Sequence, residues 1–156
     1  MGTDAELVTA ETTIEAPPEQ VFAALTDPET YPHWLRGCKE IRGVDATWPE
    51  PGSAFHHRVG VWPLHVEDRT EVVAVEPERR LELLAKARPA GEARVVFDLA
   101  AEGDGCRVAL RERPVHGPGH WLWAAGARPL PGLQLLARNK DSLRLVRELL
   151  ERDDSA

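Results

Sequence analysis

The chain has 156 residues, of which 42% are hydrophobic and 29% are charged, and its formal net charge is −7. These values predict one globular domain over residues 1–156 and exclude an intrinsically disordered chain. Because the charge is negative and basic residues form no block, we expect no binding to nucleic acid.

Neither a secretory signal nor a membrane span is visible in the sequence. The acidic N-terminus lacks an apolar segment, and no apolar run is long enough to cross a bilayer. The two cysteines, Cys38 and Cys106, follow no metal-binding spacing, and we expect both to be reduced thiols. These features predict a cytoplasmic protein, and they leave its oligomeric state open.

The first elements in chain order are a strand and two short helices. Residues 7–15 alternate between apolar and polar types, which predicts a half-buried strand. Pro17 and Pro18 end this strand and suit the first turn of a helix. Asp27 and Pro28 have the residue types of an N-cap and first turn, so a second short helix is predicted there.

Strand signals dominate the middle of the chain, and a helix is predicted at its end. Short joints separate the predicted strands, which indicates antiparallel hairpins. Residues 116–132 are predicted as a loop with a short helical piece around 121–127, and the helix follows over 133–151. The six predicted strands cover residues 41–47, 54–61, 65–76, 80–87, 93–101 and 106–113.

Together with the first strand, these elements predict an α+β protein with a curved, seven-stranded antiparallel sheet. The apolar face of the sheet needs a cover, and only the last helix is long enough to provide one. A straight helix cannot close flush on a curved sheet, so we expect a cavity between them.

Five segments carry a family resemblance: residues 14–22, 25–27, 31–34 (Tyr-Pro-His-Trp), 72–77 and 138–145. In these segments the sequence resembles the START-like (SRPBCC) superfamily, and within it the bacterial polyketide cyclase/dehydrase and lipid-transport group. The resemblance covers about residues 6–151. It implies a helix-grip fold, in which the sheet wraps around the C-terminal helix, and a cavity for a hydrophobic or amphipathic small molecule such as a lipid, an isoprenoid or a polyketide. Because the group shares no catalytic residue set, none is carried over. From the residues themselves we expect no cofactor.

Strand and helix periodicity assigns residues to the predicted cavity. In the predicted strand over residues 65–76, we expect Thr70, Val72 and Ala74 to face inward, while Glu71 faces water. The candidate ligand-binding residues are Asp68, Thr70, Leu83, Phe97, Leu110, Glu112, Trp121, Trp123, Leu136, Asn139 and Leu143.

Three of these candidates are polar residues at positions where the pattern favours apolar ones. Asp68, Glu112 and Asn139 could orient a bound ligand, because a buried polar group needs a partner. Alternatively, Asp68 and Glu112 pair with arginines at the rim of the cavity, and Asn139 bonds to the backbone.

The tryptophans all fall at predicted loops or element ends. They could gate the mouth of the cavity, with Trp121 and Trp123 as the best candidates, or form a separate hydrophobic cluster. The others are Trp34, Trp48 and Trp62.

Histidines on neighbouring strands raise the question of a metal site. His56 and His57 must point to opposite faces of one strand, so we expect no metal site. No nucleophile elbow and no phosphate-binding glycine loop is found either.

Three functional hypotheses remain. The first is the binding or transport of a hydrophobic or amphipathic small molecule. The second is a polyketide aromatase/cyclase or dehydratase, in which Asp68, Glu112 or His65 accepts a proton. The third is an interaction module that resembles the co-chaperone activator branch, which predicts a filled core and an exposed apolar patch.

Overall fold

A seven-stranded antiparallel sheet and a long C-terminal helix form the framework of the protein. The computed structural model describes residues 8–35, 40–61, 64–87, 91–116 and 129–154. In chain order the elements are β1 (Val8–Ile14), α1 (Pro18–Leu25), a 3₁₀ turn (Pro28–Thr30), α2 (Tyr31–Trp34), β2 (Glu40–Val44), β3 (Ala54–Val61), β4 (Leu64–Glu76), β5 (Arg80–Ala87), β6 (Gly91–Glu102), β7 (Gly105–His116) and α3 (Pro129–Asp154).

The strand order in the sheet is β1-β7-β6-β5-β4-β3-β2, and all neighbouring strands are antiparallel. This order confirms the predicted antiparallel sheet: β2 to β7 follow one another, and β1 pairs with β7. Turn residues with positive φ close two of the hairpins, Glu78 (φ 65°) between β4 and β5 and Gly103 (φ 59°) between β6 and β7.

The predicted helix starts are confirmed in the N-terminal part. Pro18 is the first residue of α1. The Asp27 carboxylate accepts a hydrogen bond from the backbone N–H of Glu29 at 3.0 Å, and Pro28 begins the 3₁₀ turn. The second helix therefore has its expected cap, but it opens with a 3₁₀ turn before α2.

Helix α3 lies on one face of the sheet, which we call the inner face. It packs along β1 and also contacts β7, α1 and α2. The core between these elements is formed by apolar side chains that are almost completely buried, including Ile14, Leu25, Leu81, Val108 and Val146. Burial of this kind is the main force that holds the helix on the sheet.

Aromatic side chains connect α2 to the inner face. The rings of Tyr31 and Trp34 meet edge to face at 5.4 Å, and Trp34 meets Phe97 of β6 at 6.1 Å. Trp48 packs edge to face on Phe55 at 5.2 Å. For Trp34 and Trp48 the structure therefore favours the packing alternative over a gate; Trp62, Trp121 and Trp123 lie outside the described residues.

Two predictions about element boundaries and facing were wrong. Helix α3 begins at Pro129, within the predicted loop over 116–132, because prolines are compatible with a first helical turn. The pairing of β4 with β5 shifts between Val72 and Ala74, so Ala74 lies opposite Glu82 on the outer face, and Val75 packs on the core instead. A register shift of this kind exchanges the inward-facing and outward-facing positions in the rest of the strand. The predicted helical piece around 121–127 lies outside the described residues.

The outer face carries a network of ion pairs. Glu82 is bound by Arg94 at 2.6 Å and lies 3.8 Å from Arg80. Arg80 also contacts Asp98 at 3.4 Å, and Asp98 is bound by Arg111. This network belongs to the outer surface of β5, β6 and β7, away from α3.

Candidate functional site

Besides Ser53 and Ser142, which are each 2% exposed, four polar side chains are buried among apolar residues on the inner side of the sheet and on the buried side of α3. His57 of β3, Thr70 of β4 and Glu112 of β7 are each 5% exposed, and Asn139 of α3 is 3% exposed. Burying polar groups costs free energy unless they find partners, so the partners of these four residues characterise the site.

Glu112 is paired with an arginine. The Nη2 atom of Arg138 donates hydrogen bonds to both carboxylate oxygens of Glu112. The Glu112 side chain is 7% exposed and that of Arg138 is 42% exposed, so the pair reaches from the interior to solvent. It connects α3 to β7, and for Glu112 the arginine-pairing alternative is confirmed. Arg138 was not predicted as a site residue, because this pairing depends on how the helix lies over the sheet.

Asn139 follows Arg138 in the sequence and lies on the buried side of α3. It shares its side of the helix with Leu143 and Val146, which are 1% and 0% exposed. Among the residues that the structure describes, the buried Nδ2 atom of Asn139 has no hydrogen-bond partner. The predicted alternative, a hydrogen bond between the Asn139 side chain and the backbone, is therefore not made by this amide nitrogen.

His57 and Thr70 form a second polar pair. The Nε2 atom of His57 lies 3.0 Å from the Thr70 hydroxyl, and the imidazole ring packs 5.4 Å from the ring of Phe55. His56 is exposed and lies 3.8 Å from Asp45, so the two histidines face opposite sides as predicted. His57 was not predicted as a site residue. Its position two residues after the inward-facing Phe55 on the same strand would have indicated its burial.

An apolar strip lies between the two polar pairs. In the sheet register Glu112 is opposite Val95, Val95 is opposite Leu83, and Leu83 is opposite Val72. Val72 and Leu83 are 2% and 6% exposed. Three strand intervals of about 4.8 Å separate β7 from β4, which puts Glu112 and Val72 about 14 Å apart across the sheet. Thr70 lies two residues before Val72 on β4.

The remaining predicted residues divide into two groups. Phe97, Leu110 and Leu143 are buried in the core, and Leu136 packs against it. The backbone of Asp68 lies opposite His57 in the sheet, but its side chain, like Trp121 and Trp123, lies outside the described part of the chain. The role of these residues in ligand binding stays a prediction.

The site has neither a metal cluster nor an activated thiol in the described ranges. No group of three or more His, Cys, Asp or Glu residues there is arranged to hold an ion. Cys106 is a free, buried thiol, and burial raises its pKa, which disfavours the reactive thiolate. Over the same ranges no helix is long and apolar enough to span a bilayer.

The chain belongs to the polyketide cyclase/dehydrase and lipid transport family, whose family model matches residues 6–151. This match confirms the resemblance that the sequence indicated. A search of curated proteins found no match.

Solved structures confirm the helix-grip fold. A protein of Chromobacterium violaceum superimposes with a TM-score of 0.69 at 20% identity, covering 94% of this chain and 98% of that one. A protein of Nitrosomonas europaea gives 0.67 at 20% identity, covering 98% and 99%. The di-domain aromatase/cyclase StfQ of the steffimycin biosynthetic pathway gives 0.70 at 13% identity, covering 99% of this chain and 54% of StfQ.

Proposed function

We propose that this protein binds a hydrophobic or amphipathic small molecule between the inner face of the sheet and α3. The observation that carries the proposal is the pattern on that face, where a strip of Val72, Leu83 and Val95 separates the Glu112–Arg138 pair from the buried His57–Thr70 pair. Ligand sites in proteins combine a mostly apolar lining with a few placed polar groups in this way. The family description, which includes lipid transport, supports the same reading.

The packing of α3 also supports a ligand space. Its contacts are concentrated on β1, with fewer on β7. The strip of Val72, Leu83 and Val95 on β4, β5 and β6 lies further across the sheet from this contact, beside the contacts that α1 and Trp34 of α2 make with β6. We propose that the cavity lies over this strip, within a single domain over residues 1–156, and that the protein acts in the cytoplasm.

Native mass spectrometry and a fluorescent probe test the binding proposal directly. We expect the purified protein either to retain an apolar ligand or to take up N-phenyl-1-naphthylamine with a saturable rise in fluorescence. Replacing Leu83 by Glu places a charge on the apolar strip and should abolish uptake. Replacing Leu84 by Glu, on the opposite side of β5, is the matched control and should leave uptake unchanged. An empty protein that takes up no probe would contradict the proposal.

A second candidate function is a polyketide cyclase or dehydratase, and the buried His57–Thr70 pair favours it. An imidazole on an apolar face can exchange a proton with a substrate, and a neighbouring hydroxyl can orient it. Glu112 is less suited to this role than the sequence indicated, because Arg138 engages both of its carboxylate oxygens. The structural similarity to StfQ is compatible with such a reaction.

The enzyme hypothesis predicts that His57 is essential for turnover. We expect His57→Phe to abolish cyclisation of a poly-β-ketone supplied by a minimal polyketide synthase, whereas His56→Phe, on the outer face, should retain it. Equal turnover by both variants would exclude His57 as the acid–base group.

The interaction-module hypothesis receives less support. In the described ranges the exposed large hydrophobic residues are Val44 of β2 and Val73 of β4. These strands are not neighbours in the sheet, since β3 lies between them. The two residues therefore do not form the contiguous apolar patch that such a module needs.

A further inference from the structure

We infer that Asn139 recognises the ligand through its side-chain amide and that the ligand presents a hydrogen-bond acceptor, such as a ketone or other carbonyl oxygen, to the Nδ2 atom. This inference rests on the proposed ligand binding and adds the chemistry by which the ligand is recognised. It starts from one observation, the buried Nδ2 donor that has no protein partner in the described ranges.

The position of Asn139 is unfavourable for the unliganded protein in two ways. Asparagine is a poor residue for the interior of a helix, because its side chain competes with the backbone for hydrogen bonds. Its burial also removes the amide from water without replacing the lost hydrogen bond. Leucine would suit both the helix and the apolar side formed by Leu143 and Val146. Local conflicts of this kind in a folded protein are typical of functional sites.

The surroundings of Asn139 determine which chemical group can satisfy it. The carboxylate of Glu112 is bound by Arg138, the residue that precedes Asn139 on α3, so the pair contributes little net charge to this end of the site. An anionic ligand would therefore find no free cation in this pair, whereas a neutral acceptor needs only the free N–H of Asn139. The acceptor would lie near β7, with the apolar body of the ligand over Val95 and Leu83.

Two probes of similar size separate the inference from the proposed function. N-phenyl-1-naphthylamine carries no carbonyl oxygen, whereas 6-propionyl-2-(dimethylamino)naphthalene carries a ketone. We expect the wild-type protein to bind both. In Asn139→Leu the Kd of the ketone should rise about tenfold, the effect of losing one hydrogen bond in a buried site, while the Kd of the amine stays within about twofold.

The thermal stability of the unliganded variant gives an independent readout. Because Asn139→Leu removes an unsatisfied donor and improves helix propensity, its Tm should rise by a few degrees. A merely structural role for Asn139 predicts the opposite, a lower Tm. Val146→Ala is the matched control on the same side of α3: it should lower the Tm and leave the ratio of the two Kd values unchanged.

A measurement on the wild-type protein keeps the inference testable even if the variant does not fold. Asn139 is the only asparagine in the sequence, so selective ¹⁵N-asparagine labelling yields a single side-chain amide signal. Adding the ketone should shift this NH₂ pair strongly, and adding the amine should shift it far less.

The outcomes are distinct. If neither probe binds to protein that has been freed of any retained ligand, the proposed function fails. If the amine binds but the ketone does not, or if both bind and the ketone leaves the labelled amide and the Asn139→Leu ratio unchanged, the inference about Asn139 is wrong while ligand binding stands.

Discussion

The ion pair between Glu112 and Arg138 should make the two partners unequal in their effect on stability. The Glu112 side chain is 7% exposed and the Arg138 side chain is 42% exposed. Removing one partner of a fully buried pair costs about 3–5 kcal/mol, because the other charge stays buried without compensation. Since solvent reaches Arg138, we reduce this value and expect Arg138→Met to lower the free energy of unfolding by about 2 kcal/mol.

Replacing the carboxylate of Glu112 should lower the free energy of unfolding by less than replacing Arg138 does. In Glu112→Gln the buried group is neutral, and the arginine can turn into water, so we expect a loss of about 1 kcal/mol. The double variant should also lose about 1 kcal/mol, because it leaves no buried charge, which gives a coupling energy of about 2 kcal/mol between the two positions. Urea unfolding followed by circular dichroism measures all three values, provided the m-value stays constant.

The matched control for this cycle is Arg144→Met on the same helix. Arg144 pairs with Asp141 and Glu148, and its side chain is 50% exposed. Its removal leaves carboxylates that are in contact with water, so we expect a much smaller loss. If Arg138→Met proved milder than Glu112→Gln, or if the two losses were additive, the buried-charge reasoning would be refuted.

Three further predictions concern the framework. A Cβ on Gly105 would lie 2.5 Å from the carbonyl oxygen of Ile14, so Gly105→Ala should cost about 1–3 kcal/mol in urea unfolding, whereas Gly43→Ala, with its nearest atom at 4.0 Å, should not show this steric cost. Burial raises the pKa of Cys106, so the folded protein holds the thiol proton more tightly than the unfolded chain does. The free energy of unfolding should therefore decrease as the pH rises above about 8.5, and in Cys106→Ala it should decrease less steeply over that range. Parallel curves of unfolding free energy against pH for the two proteins would contradict this. The Glu82 side chain is 11% exposed and lies between two arginines, so Glu82→Gln should lower the free energy of unfolding by about 1–2 kcal/mol. An unchanged urea midpoint would show that the ion-pair network on the outer face contributes nothing to stability.

The candidate site was only partly predictable from the sequence. Helical and strand periodicity correctly indicated the burial of Thr70, Glu112 and Asn139. The partners of these residues could not be predicted, because they come from other elements: Arg138 from α3 for Glu112, and His57 from β3 for Thr70. Periodicity assigns a residue to a face, whereas a pairing depends on how two elements are placed in space.

The order of the elements and most of their boundaries followed from local chemistry. Alternation, prolines and turn residues act over a few positions, so β3 and β5 were predicted with the bounds that the structure shows. The strand pairing of β1 with β7, the facing reversal near Ala74 and the ion pair of Arg138 depend on contacts between distant parts of the chain. Such contacts form only when the sheet and α3 pack together, and so the sequence determines where polar residues are buried, while the tertiary structure decides which partner each of them finds.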